Sequence, residues 1–179
     1  MHSYLLGSKV YGIHIYYEDD AIDISLTLGE RRKKAFFVKE CKYGIKQFVE
    51  LFSILQQNIP IVLCIDGKGI IHKRLEQNKN LKSIFSGINL SDFYIQEISV
   101  STSVKFVSLI KNSLLNEVVD TFIEKGFFII GIELGPFAVR HILRLFEDNL
   151  SEIIDIPNYK VFLDNKILVD IERSDNVSI

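Results

Sequence analysis

The sequence predicts an α/β domain. Three antiparallel strands, a helix and a parallel strand form a mixed sheet, and a small α+β unit is inserted before the chain returns to that sheet. Three patterns carry this reading. Ile22, Ile24, Leu26 and Leu28 alternate with Asp23, Ser25 and Thr27, the period of a half-buried strand. Between Tyr43 and Gln57, Ile45, Phe48, Val49, Phe52 and Leu55 recur at three- and four-residue steps and make one apolar helical stripe. Ile61–Ile65 is a continuous apolar run, as expected of a strand covered on both faces, and Phe127–Leu134 reads as a second buried strand.

Taken in order, the first strand runs from Lys9 to Tyr17 and enters the second through the turn Glu18-Asp19-Asp20. A third strand spans about Lys34 to Glu40, centred on Ala35-Phe36-Phe37-Val38, and Arg31-Arg32-Lys33-Lys34 is read as the solvated turn before it. The helix over Tyr43–Gln57 stops at Asn58-Ile59-Pro60, and Ile61–Ile65 then returns parallel to the first strand through a helical crossover. Asp66-Gly67-Lys68-Gly69 makes a turn into a strand over Ile70–Leu75. Gln77–Ser91 is polar and irregular, with at most a short helix around Leu81–Phe85. Phe93–Val100 and Val104–Ile110 form a hairpin around Ser101-Thr102-Ser103.

A helix over Ser113–Lys125 carries Leu115, Val118, Val119 and Phe122 on one face, with Gly126 as its C-terminal cap. After the strand Phe127–Leu134, Gly135-Pro136 opens a helix that reaches Phe146, with proline in the favoured first turn. Tyr159–Leu163 and Lys166–Ile171 pair through Asp164-Asn165, and Ser174–Ile179 frays. The order groups residues 9–66 and 127–179 in the main α/β layer and residues 67–126 in the inserted subdomain.

Hydrophobic content of 47% supports a proper core, and a net charge of −2 without a long basic run argues against a nucleic-acid partner. Cys41 and Cys64 lie in no Cys-x-x-Cys spacing, so zinc and redox motifs are absent, and Cys64, inside an apolar strand, reads as a small core residue in a reducing compartment. Met1–Gly7 has no signal-peptide pattern, and no run approaches the roughly 20 apolar residues that span a bilayer. The expectation is a cytoplasmic chain.

The first turn bears on function. A phosphate cradle there needs glycines and free backbone N–H groups, helped by a cation. Glu18-Asp19-Asp20 offers three carboxylates and no glycine, which repels a phosphate and points to a scaffold rather than a nucleotide-using enzyme.

Tyr11-Gly12-Ile13-His14-Ile15 is similar to the opening strand of the actin-like assembly proteins of type IV pili and type II secretion. Ile61-Val62-Leu63-Cys64-Ile65-Asp66-Gly67 with Ile70-Ile71-His72-Lys73-Arg74 resembles that family's strand–turn–strand leading into its inserted subdomain. The helix ending at Lys125-Gly126, the strand Phe128–Leu134 and Gly135-Pro136-Phe137-Ala138 resemble its return to the main sheet. The likeness covers most of residues 9–147 and implies the N-terminal lobe of an actin-like, ribonuclease H-like fold. Nucleotide-binding members carry an acid in the first strand and a glycine soon after. His14 and Tyr16 stand at those positions here, so the ATP-site motif is degenerate and no cofactor is expected. The resemblance implies docking of a motor ATPase and of membrane-anchored assembly subunits, at the inner face of the cell membrane through partners or a further C-terminal part. Self-association is left open.

His14, His72 and His141 are read as structural, because no base or carboxylate partner is identifiable by spacing, and no two histidines lie at i, i+4. Asp66-Gly67-Lys68-Gly69 offers N–H groups and a lysine to an anion but is too short for a P-loop, and is read as a connecting turn. A ribonuclease H-like nuclease would draw metal ligands from Glu50 and Asp66, yet Gly12 or His14 occupies the place of its first carboxylate. No catalytic, cofactor-binding or metal residue is therefore assigned. The expected function is a non-catalytic adaptor that binds through exposed sheet edges or through the polar segment Lys79–Asp92. The alternatives are an actin-like nucleotide-binding lobe and, less favoured, the nuclease.

Overall fold

The structure, a computed structural model, describes residues 8–32, 35–142, 152–156, 158–165 and 167–174. Met1–Gly7, Lys33-Lys34 of the cationic turn, the expected helix from 143 to Phe146, Lys166 and the tail beyond Ser174 lie outside the described residues.

The central sheet has five strands in the order β3-β2-β1-β4-β8. These are β1 (Lys9–Tyr17), β2 (Ile22–Arg32), β3 (Ala35–Ile45), β4 (Ile61–Gly67) and β8 (Ile129–Leu134). β1 and β2 pair antiparallel with Ile13 opposite Leu26 and Ile15 opposite Ile24, as the alternation in β2 demands. β4 runs parallel to both β1 and β8, so the crossover is as expected. The helices α1 (Phe48–Ile54) and α3 (Asn112–Glu124) cover one face of this sheet. Tyr11, Ile13, Ile15, Leu63 and Ile65 from the strands meet Leu51, Leu115, Val118 and Phe122 from the helices in one core. Phe122 is fully buried and meets Phe48 and Phe52 edge-on, at centroid distances of 6.0 and 5.1 Å.

Three expectations are corrected here. The third strand runs to Ile45, and α1 starts only at Phe48. The Tyr43–Ile45 stretch, which the stripe assigns to the helix, belongs to β3 instead, with Ile45 opposite Ile24 of β2, and two register shifts absorb the extra residues of β3. β8 is an edge strand rather than a strand buried on both faces: Phe128 just before it is 64% exposed and Ile130 36%. The helix opened by Gly135-Pro136 begins as a 3-10 turn over Gly135–Ala138 and continues as α4 (Val139–Ile142) within the described residues.

A second sheet, in the order β5-β7-β6, is built from β5 (Ile70–Glu76), β6 (Phe93–Ser99) and β7 (Val104–Lys111). The short helix α2 (Leu81–Ile84) and Phe85 pack on it with Val107 and Leu109. A third sheet, β11-β10-β9, comprises β9 (Ile153–Ile156), β10 (Tyr159–Asp164) and β11 (Ile167–Arg173). The sequence reading missed β9 and placed the last hairpin with the main layer. These strands form a sheet of their own, whose Val161, Leu163 and Leu168 pack with Ile98 and Phe106 of the second sheet and with Phe137. By packing, α3 belongs to the central core, although it falls within residues 67–126.

Candidate functional site

The C-terminal ends of β1, β4 and β8 lie side by side, and this is where open α/β sheets place their ligands. Side chains alternate across the sheet, so the residues between the core positions point to the face opposite α1. His14, Cys64, Asp66 and Glu133 are such residues, neighbours of Ile13, Ile15, Leu63, Ile65 and Leu134.

Asp66 is the centre of a buried network. It is 2% exposed, and its Oδ1 accepts from the Gly67 N–H (2.7 Å), from His72 Nε2 (3.1 Å) and from the Tyr159 hydroxyl (3.1 Å). The other imidazole nitrogen, His72 Nδ1, lies 2.8 Å from Ser108 Oγ. With Asp66 ionised, Nε2 carries the proton and donates, and in the neutral ring Nδ1 accepts from the Ser108 hydroxyl. Asp66 stands on the central sheet, His72 and Ser108 on the second and Tyr159 on the third, so one carboxylate ties all three together. Burial alone would raise the Asp66 pKa. The bonds from His72, Gly67 and Tyr159 and the charge of His72 outweigh it and hold the carboxyl below its ordinary range. Burial, then the Asp66 charge, pushes the Tyr159 hydroxyl far up. Gly135 is required here, because a Cβ at its positive φ of 68° would collide with the His72 ring.

The order Ser108–His72–Asp66 has the composition of a hydrolytic triad. Its geometry is that of a lock: Ser108 is fully buried and presents no oxygen to a substrate. A second cluster surrounds Glu133, which takes Arg140 (3.1 Å), His141 Nε2 (2.9 Å) and Gln96 (2.7 Å). Burial opposes its ionisation, but the His141 bond and the Arg140 charge prevail and lower its pKa.

The two turns at the strand ends are fastened to each other. Lys68 Nζ sits 2.7 Å from Asp19 Oδ1, and the Lys68 N–H donates to the Tyr17 carbonyl at 2.8 Å. The Glu18-Asp19-Asp20 turn therefore has a cation beside it, which its own sequence does not reveal. In Asp66-Gly67-Lys68-Gly69 the N–H groups of Gly67 and Lys68 are already bonded, so the turn connects strands and leaves neither group to an anion.

The carboxylates of the nuclease reading are not brought together. Glu50 is exposed on α1, on the core-covered side of the sheet, whereas Asp66 points to the opposite face. Among the described residues no three His, Cys, Asp or Glu side chains are placed to share a metal ion. His14 stands on the same face as Asp66, and burial lowers its pKa against the pull of Asp66 and Asp23. Cys64 donates to the Gly135 carbonyl at 3.1 Å, and burial, then Asp66 and Glu133, pushes its thiol up. His72 and His141 both have carboxylate partners that spacing did not identify.

Part of the exposed apolar surface lies along β3, one of the central sheet's two edges. β3 has a neighbour on one side only, and Phe36, Phe37, Val38 and Tyr43 along it are 41%, 49%, 64% and 74% exposed. The segment Lys79–Asp92 holds α2 and a 3-10 turn at Leu90–Asp92, whose starts are capped by Asn80 and Asn89 side chains.

No family model and no curated protein matches the sequence. Among solved structures the chain is similar to the cytoplasmic domain of EpsL, an inner membrane component of the type II secretion system of Vibrio cholerae. Identity is 12% and the TM-score 0.59, over 93% of this chain and 70% of that one. It is also similar to the PilM-PilN type IV pilus biogenesis complex, with 11% identity and a TM-score of 0.61, over 91% of this chain and 60% of that one. The likeness is one of fold, and it is the fold that the resemblance in the sequence implied.

Proposed function

We propose that this chain is a non-catalytic adaptor in a type II secretion or type IV pilus-like assembly platform. It works at the cytoplasmic face of the inner membrane and docks a motor ATPase and membrane-anchored assembly subunits. The observation that carries this reading is the fold likeness, over more than nine-tenths of the chain, to proteins of both kinds of machine. The ends of β1 and β4 support docking over nucleotide chemistry. The N–H groups of Gly67 and Lys68 and the Lys68 ammonium are engaged with Asp66, Tyr17 and Asp19, so a phosphate taking them would have to break those bonds before making its own. The apolar edge of β3 supports strand addition as the docking mode. No helix among the described residues is long and apolar enough to cross a membrane.

Titration calorimetry with Mg-ATP, on the longest natural form of the protein, tests the non-nucleotide half of this reading. No heat and no thermal shift is the expected result. Saturable micromolar binding would overturn it in favour of the nucleotide-binding lobe.

A further inference from the structure

Where the second and third sheets meet beside the Asp66 network, a cleft of about 240 Å³ opens. Its walls are aromatic and aliphatic: Phe106, Phe137, Tyr159, Ile70, Pro136 and Ile171. Cations stand at its rim. Arg74 meets Asp170 through Nε at 3.3 Å. Arg173, exposed and opposite Tyr159 in the ladder, makes no ion pair among the described residues. Lys73 also lines the cleft, but its ammonium lies over the Phe85 ring, 5.0 Å from the centroid, so it contributes charge from a distance.

We propose that this cleft binds a small organic anion: one carboxylate or phosphate on a ring-sized apolar body, with Arg173 and Arg74 on the anion and the half-buried Ile70 and Ile171 against the body. The size sets the class. A cavity of roughly 150 Å³ holds benzene, and drug-sized ligands need roughly 300 Å³ or more, so one ring with one charged substituent fits. The charge follows from the guanidinium groups, whose planar forks match carboxylate and phosphate oxygens. The nearest buried acid, Asp66, lies behind the His72 and Tyr159 side chains that donate to it. This inference stands on the cleft alone and does not depend on the adaptor reading.

The test is a nitrogen-15 NMR titration of the whole chain with benzoate and phenyl phosphate, against benzamide, acetate and inorganic phosphate. Saturable shifts centred on Ile70, Phe106, Phe137 and Ile171, with Kd on the order of 1 mM for benzoate or phenyl phosphate, are expected. Benzamide, acetate and inorganic phosphate should each bind roughly tenfold more weakly. Arg173→Gln, with an otherwise native spectrum, should weaken benzoate by roughly tenfold. Absence of saturation with both ring anions, equal binding of benzamide, or unchanged affinity in Arg173→Gln would each overturn the proposal. Binding of the ring-bearing phosphate but not benzoate, or the reverse, fixes which anion the site takes and supports it.

Discussion

His72 Nε2 lies 3.1 Å from Asp66 Oδ1, a link between the second sheet and the central one that no spacing motif records. Tyr159 reaches the same oxygen from the third sheet, 93 residues along the chain. One buried charge thus holds three sheets in register, and removing it leaves their donors on a weaker, neutral acceptor. Asp66→Asn should cost about 3 kcal/mol of stability, since the charge-assisted bonds weaken inside a dry environment. Urea denaturation followed by circular dichroism checks this.

The same carboxylate sets an acid dependence. Its folded pKa lies below the ordinary value, which in the unfolded chain is about 3.9. A depressed folded pKa means that the contribution is complete above the unfolded value and is lost as pH falls through the folded one. The stability gap between the native chain and Asp66→Asn should therefore hold steady from neutral pH down to about pH 5 and close below about pH 4. Denaturation midpoints measured across that range report it. Glu133 shifts in the same direction and adds to the acid lability of the native chain.

Gly67 has a φ of 96°, and a Cβ there would strike the Tyr17 backbone. Gly67→Ala should destabilise by about 2–4 kcal/mol, from left-handed strain and displacement of the β1 end. Gly12→Ala is the control: it lies in the adjacent strand at ordinary φ with its nearest neighbour 4.0 Å away, and should change stability by less than about 0.5 kcal/mol. Thermal melts of the two variants compare them directly.

Phe122 is fully buried among Phe48, Phe52 and Phe127. Phe122→Ala should cost about 3–5 kcal/mol, and Phe122→Leu less, because more of the cavity stays filled. Chemical denaturation of both gives the order.

Val38 is 64% exposed on the β3 edge. Val38→Lys should leave stability within about 0.5 kcal/mol while weakening any partner that adds a strand there. Unchanged melting with reduced partner recovery is the expected pair of results.

The sequence spoke most clearly where one periodicity ruled. In β2 the inward set Ile22, Ile24, Leu26 and Leu28 packs into the core, Ile24 and Leu26 buried and Ile22 and Leu28 half-buried, and α3 presents Leu115, Val118 and Phe122 to the core and is followed by Gly126 with φ 79°. It misled where two periods overlapped. Ile45 fits both the helical stripe before Phe52 and the strand opposite Ile24, and ladder pairing with β2 decided for the strand. β9 is only four residues long, too short to show a period. The Asp66 network was illegible because its members come from three sheets, and the pairing of Asp19 with Lys68 because the turns meet only when β1 and β4 align.

The most direct test of the adaptor account is site-specific photo-crosslinking in the native cell at natural expression. The crosslinker is placed at Val38 on the β3 edge and, separately, at Ser86 in the Lys79–Asp92 segment. The account predicts that one of these positions captures a motor ATPase or a membrane-anchored subunit of a secretion or pilus machine. Capture of no component of such a machine from either position would contradict it.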